Sequence, residues 1–139
     1  MKPTEAVMLC RYVAAGCPQQ KFDEHTPDVW QDLLADLPFD VAMIATRSLV
    51  QSQTFVSPSE IRRAVSRMRT LTRRAIRQEC RDRGVLVDIN AEADRAIVAG
   101  LAKFDGHDLL AADADPHAYG RPTADLTGWT PEHGRELTS

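Results

Sequence analysis

Between Pro58 and Gly84 the chain contains neither glycine nor proline, and nine of its residues from 62 to 83 are arginine. A Val56-Ser57-Pro58-Ser59-Glu60-Ile61 segment opens this stretch. Ser57 is placed to cap a helix, Pro58 to occupy its first position, and Glu60 to complete a capping box. Val56 and Ile61 are spaced as a hydrophobic staple. Such a run commits the chain to one long helix ending near Arg83, about 39 Å at 1.5 Å per residue. Gly84 suits its exit. Ile61, Ala64, Val65, Met68, Leu71 and Ala75 form its apolar seam. Beyond Thr72 the seam is thinly apolar, so the second half of the helix is expected to project outward.

The segments before it follow helical spacing as well. A first helix is expected from Thr4 to about Ala15, capped by Thr4, with Ala6, Leu9, Cys10, Val13 and Cys17 on one stripe. Gly16 and Pro18 stop it. Phe22 lies in the following loop and is expected to be buried. Thr26-Pro27-Asp28 is a second start, with Thr26 as cap, and leads into the stripe Trp30, Leu33, Leu34 and Leu37. Asp40 is placed to cap a third helix with Val41, Ile44, Ala45 and Leu49 inward. After a short connector beginning at Gly84, Asn90 is placed to cap a candidate fifth helix from Ala91 to Lys103. The predicted fold class is all-α: a small bundle of three to four helices, a long Arg-rich fourth helix, a candidate fifth helix and a flexible acidic C-terminal tail. The expected divisions are 1–83 for the helical domain, 84–105 for the connector and fifth helix, and 106–139 for the tail.

Composition narrows the function. The 139 residues carry a net charge of -3, but residues 62–83 hold the nine arginines against only Glu79 and Asp82, with acidic segments on either side. Charge in blocks points to a charged partner or to contact between the blocks. No apolar run approaches the roughly 20 residues of a membrane span. Cys10, Cys17 and Cys80 are odd in number and lack C-x-x-C spacing, which fits a reducing cytoplasm. Neither a phosphate-binding loop nor a dinucleotide fingerprint is present. No nucleophile has a base at recognisable spacing, so neither an enzyme nor a cofactor is expected. His107, Asp108, Asp113, Asp115 and His117 include metal-ligand types, but their composition favours a solvated tail.

The candidate partner-binding residues are Arg62, Arg63, Arg67, Arg69, Arg73, Arg74, Arg77 and Arg81, together with Trp129. Arginine presents a fixed fork of donors matched to phosphate or carboxylate. No aromatic residue interleaves with the arginines, so base stacking is not supported. Contact with a nucleic-acid backbone and docking to an acidic protein surface, or to the chain's own acidic tail, both remain open. Trp129 has two readings of equal weight: an aromatic anchor for a partner, or a residue folded back on its own helical domain. A second copy paired through the seam beyond Thr72 is a further candidate partner.

Residues 5–61 carry an ordered series: Glu5, Leu9 and Val13; Pro18 and Phe22; Trp30 with Leu33 and Leu34; Phe39 and Val41; and Phe55-x-x-Pro58-x-Glu60-Ile61. In this order and spacing the chain resembles the phage-encoded replicative helicase loader and inhibitor family, small proteins of tailed phages from Gram-positive bacteria. The resemblance implies a compact helical N-terminal domain associated with a replication initiator protein. It implies a C-terminal part that engages a DnaB-type hexameric replicative helicase and loads or inhibits it in the host cytoplasm. It implies no catalysis. The Arg-rich extension and the fifth helix depart from the pattern. The alternatives are a small helical nucleic-acid-binding regulator and an inhibitor of another host protein.

Overall fold

The computed structural model describes residues 1–104, 124–126, 128–132 and 135–136. The described residues form five helices and four two-residue strands joined by turns and loops: α1 Pro3–Gly16, α2 Thr26–Leu33, α3 Phe39–Ser52, α4 Pro58–Arg83, β1 Val85–Leu86, α5 Ile89–Val98, β2 Ala102–Lys103, β3 Asp125–Leu126 and β4 Arg135–Glu136. It forms two compact units, Met1–Ser66 and Arg67–Ser139. The division between them falls inside α4.

In the first unit α1 packs on both α2 and α3. Ala6, Leu9, Cys10, Val13 and Cys17 are buried, as their stripe requires, together with Trp30, Leu34, Leu37, Val41, Ala45 and Leu49. Phe22 is half-buried, its ring centroid 5.5 Å from that of Trp30 in a tilted pair. Removing such apolar side chains from water contributes roughly 1.5–3 kcal/mol for each large residue. The polar groups inside are satisfied locally: the Thr46 hydroxyl donates to the Ala42 carbonyl at 2.7 Å. The loop before α4 is held by the Gln20 amide, which donates to the Val56 carbonyl at 2.7 Å and accepts from the Val56 N–H at 2.8 Å.

The helix starts differ in detail from their sequence assignments. α1 begins at Pro3, one residue ahead of Thr4, and the Lys2 N–H donates to Glu5 at 2.7 Å. Proline at the first position is pre-set for helix, so Thr4 falls inside the first turn. Thr26 is likewise within α2. The carboxylate of Asp23 accepts from the N–H groups of His25 and Thr26 at 2.8 and 3.0 Å, and these bonds hold its pKa below the usual range. Asp40 lies in the first turn of α3, after the extended Pro38, where it faces the positive end of the helix dipole. Leu33 is exposed, because α2 ends there and the turn at Leu34 carries only Leu34 and Leu37 inward. At α4 the expected box forms: Ser57 N–H donates to Glu60 at 3.1 Å, Glu60 N–H donates to Ser57 at 3.3 Å, and Val56 and Ile61 are both buried.

The second unit contains the rest of α4, α5 and the short strands. Gly84 leaves α4 at φ +65, a left-handed conformation that favours glycine. β1 pairs antiparallel with β4, Val85 opposite Glu136, and β2 with β3, Ala102 opposite Leu126. α5 starts two residues earlier than expected, and Asp88, not Asn90, caps it by accepting from the Ala91 N–H at 3.3 Å. The outward projection expected of α4 is not observed. Leu71, Thr72, Ile76 and Cys80 are all buried. The seam beyond Thr72 therefore has no free apolar stripe for the coiled-coil pairing considered above. Residues 124–126 and 128–132, assigned to a flexible tail from sequence, include a strand and a buried tryptophan.

One glycine in the first unit is required by close approach. A Cβ on Gly16 would lie 2.2 Å from Cγ1 of Val50 on α3, and valine has little rotamer freedom with which to give way. Gly16→Ala is expected to lower stability by about 1 kcal/mol, overpacking of roughly 1–3 kcal/mol outweighing the gain in helix propensity. Urea unfolding of Gly16→Ala, Val50→Ala and the double variant checks this. A coupling of at least ~0.5 kcal/mol in favour of the double variant is expected.

Candidate partner-binding site

The arginines of α4 sort into two sets. Of the expected partner-binding residues, Arg62, Arg69 and Arg73 bond to other parts of the chain, and Arg67 is engaged as well. Arg62 donates to both oxygens of Asp36, the Nη2–Oδ2 bond at 2.9 Å, and to the Leu33 carbonyl at 3.1 Å. The Arg62 fork lowers the Asp36 carboxyl to about 2. Arg69 makes a two-pronged contact with Asp94 of α5 at 2.9 and 3.0 Å. Arg73 reaches Asn90 at 3.2 Å and Thr70 at 3.4 Å. These three are bonded within the chain, each to a residue outside α4.

The remaining positions are arranged differently. At about 100° per residue, Arg67, Arg74, Arg77 and Arg81 fall within an arc of about 80°, roughly opposite the buried seam. Arg63 belongs to the first unit and is exposed there. Arg74 and Arg77 have no hydrogen bond or ion pair with another described residue, and Arg81 bonds only the neutral Gln78 amide at 2.8 Å. The acids of this part of α4 are occupied elsewhere: Glu79 pairs with Arg83 at 3.1 Å, and Asp82 accepts from Gln78 at 2.9 Å. Arg74, Arg77 and Arg81 also line a cleft of about 690 Å³ together with Ala124, Asp125 and Leu126.

Trp129 is not an exposed anchor. It is 2% exposed, and its indole N–H donates to Glu92 at 3.1 Å. Glu92, itself buried, also accepts from Arg95 at 2.7 Å and from the Glu132 N–H at 3.2 Å. Arg95 donates in turn to the Thr130 carbonyl at 2.6 Å, and Arg83 lies over the Trp129 ring at 5.8 Å from its centroid. Of its two sequence readings, folding back on the chain is the one observed. Burial alone would raise the pKa of Glu92. The donors from Arg95, Glu132 and Trp129 outweigh it and hold the carboxyl below its ordinary value. Sequence reasoning missed Glu92, Arg95 and Asp94. The only hint was a fifth helix whose apolar stripe is too narrow to bury alone.

Burial pushes the Cys10 thiol up to about 11, so it is protonated at neutral pH and behaves as a small apolar side chain. The residues from His107 to His117 lie outside the described residues, and no group of potential metal ligands occurs among the described ones. No helix among the described residues is long and apolar enough to cross a membrane. Comparison with protein-family models, curated proteins and solved structures gives no match.

The carboxylate at the centre of the Trp129 cluster sets a pH dependence. Because its folded pKa is depressed, the stability it contributes is complete above the ordinary glutamate value and is lost as pH falls through the folded value. Urea unfolding of the full chain between pH 7 and pH 3 should show this loss, and Glu92→Gln should flatten it. Trp129→Phe keeps most of the apolar burial but removes one donor. It is expected to cost about 1–3 kcal/mol at pH 7, measured by circular dichroism.

Proposed function

We propose that this chain is a DNA-replication accessory protein that binds a DnaB-type hexameric helicase and loads or restrains it, without chemistry of its own. The N-terminal pattern supports this reading. The series from Glu5 to Ile61 coincides with one compact helical unit, Met1–Ser66. Within it Leu9, Val13, Trp30, Leu34, Val41 and Ile61 are core, while Glu5 and Glu60 complete helix starts. The observation that carries the reading is the aromatic residue of the closing signature. Phe55 is 53% exposed beside the fully buried Val56. The core does not use that ring, which leaves it for a partner such as the initiator.

Loading of this kind is a population shift, in which the protein binds one state of the hexamer more tightly than another and so favours it. The Arg-rich face of α4 and the acidic C-terminal part supply charged contacts for such a large partner. Size-exclusion chromatography of the full chain with the purified host helicase, with and without ATP, is expected to give a co-eluting complex and a changed helicase ATPase rate. Separate elution under both conditions would remove the proposal. Phe55→Ala is expected to leave folding stability within about 0.5 kcal/mol and to weaken binding to the initiator.

A further inference from the structure

We infer that the outward arginine face of α4, centred on Arg74, Arg77 and Arg81, is a binding surface for the sugar-phosphate backbone of duplex nucleic acid. This goes beyond the helicase reading and does not depend on it. The first support is the sorting of the arginines. Three arginines of α4 have a carboxylate or amide supplied by another part of the chain: Asp36 for Arg62, Asp94 for Arg69 and Asn90 for Arg73. None is supplied for Arg74 or Arg77 among the described residues, and only a neutral amide on the same helix for Arg81. Cations placed this close repel one another, and an external polyanion relieves that repulsion.

The second support is what lies around them. Protein interfaces centre on aromatic or large aliphatic anchors ringed by polar groups. No aromatic residue occurs in α4, and its large aliphatic residues from Leu71 onward are buried on the opposite side. A phosphate backbone asks only for fixed cationic donors, and arginine forks match its oxygens. Without aromatic platforms the face is unsuited to single strands, whose binding relies on base stacking. From Arg74 to Arg81 the helix rises about 10 Å, a distance over which one strand of a duplex carries about three phosphates. Asp125 borders the adjoining cleft, while Glu79 and Asp82 are held by Arg83 and Gln78. The phosphates therefore lie along the arginine stripe itself and not in the cleft.

Fluorescence anisotropy of the full chain with a labelled 20-base-pair duplex, in the absence of helicase, tests this. Binding is expected at 50 mM salt and should weaken steeply as salt rises. The triple variant Arg74→Gln, Arg77→Gln, Arg81→Gln should bind at least tenfold more weakly. It should also show a log–log salt slope shallower by about 2 to 3, as expected for three lost phosphate contacts. The three side chains lie on the face away from the seam, and an unchanged circular dichroism spectrum verifies folding. Arg47→Gln, an exposed arginine of α3, is expected to bind within twofold of the unaltered chain. No binding at 50 mM salt, salt-independent binding, or equal affinity of the triple variant would each overturn the proposal. So would competition by polyglutamate as effective as that by unlabelled duplex, which would mark the face as a site for acidic protein.

Discussion

Electrostatic repulsion along α4 is the constraint to which much of this structure responds. Nine arginines on six turns of helix, with only Glu79 and Asp82 among them, would strain an isolated helix. The capping box at Ser57 and Glu60 and the buried seam supply the opposing stability. The long-range carboxylates do the rest: Asp36 in the turn after α2 and Asp94 on α5 each receive an arginine fork in two-pronged geometry. These contacts are partly exposed, so each is worth little as an isolated ion pair. Their larger effect is directional. A planar fork on a planar carboxylate fixes how the turn after α2 meets the start of α4, and how α5 lies along the later part of α4.

The second unit depends on a different kind of polar contact. Glu92 is buried, a position that an unpaired carboxylate does not tolerate. Three donors converge on it, from Arg95 on its own helix and from Trp129 and Glu132 far along the chain. One carboxylate thus defines where the returning segment must lie, and Arg95 and Arg83 fasten its carbonyls at Thr130 and Trp129. Removing any one donor leaves the others with a poorly neutralised charge in a low-dielectric setting. The return of the chain is consequently a cooperative feature and not a loose apolar contact.

Much of the first unit was legible from local pattern, because its helices are specified by neighbours three and four residues away. The Val56–Ile61 start contains its whole mechanism within six residues, and the stripe from Ala6 to Cys17 identifies its own buried face. The boundaries slipped at Thr4 and Asn90, because Pro3 already occupies the first helical position of α1 and Asp88 caps α5 two residues earlier. What could not be read was the use of each arginine. Arg69 and Arg74 are alike in sequence context, and only the placement of Asp94 makes one structural and leaves the other outward. Trp129 was ambiguous for the same reason: its partner Glu92 lies 37 residues away in what local spacing shows only as a thin helix. The thinness of that helix, like the thin seam beyond Thr72, was the trace of surfaces that cover each other only after folding.

The separation of roles around α4 has a consequence for how the helix can change. Its apolar seam, its flank of paired arginines and its outward arginines occupy different angular sectors of one cylinder. Substitution in the seam opens a cavity, and substitution on the paired flank leaves a carboxylate without its fork. Substitution of Arg74, Arg77 or Arg81 removes no hydrogen bond or ion pair with another element among the described residues, and it relieves like-charge repulsion. Glutamine or lysine would fill the same helical positions at similar propensity. Lysine would carry the same charge but not the fixed fork. On the binding inferred above, arginine at positions 74, 77 and 81 offers what lysine would not, a fixed fork suited to acceptors that are planar or clustered oxygens.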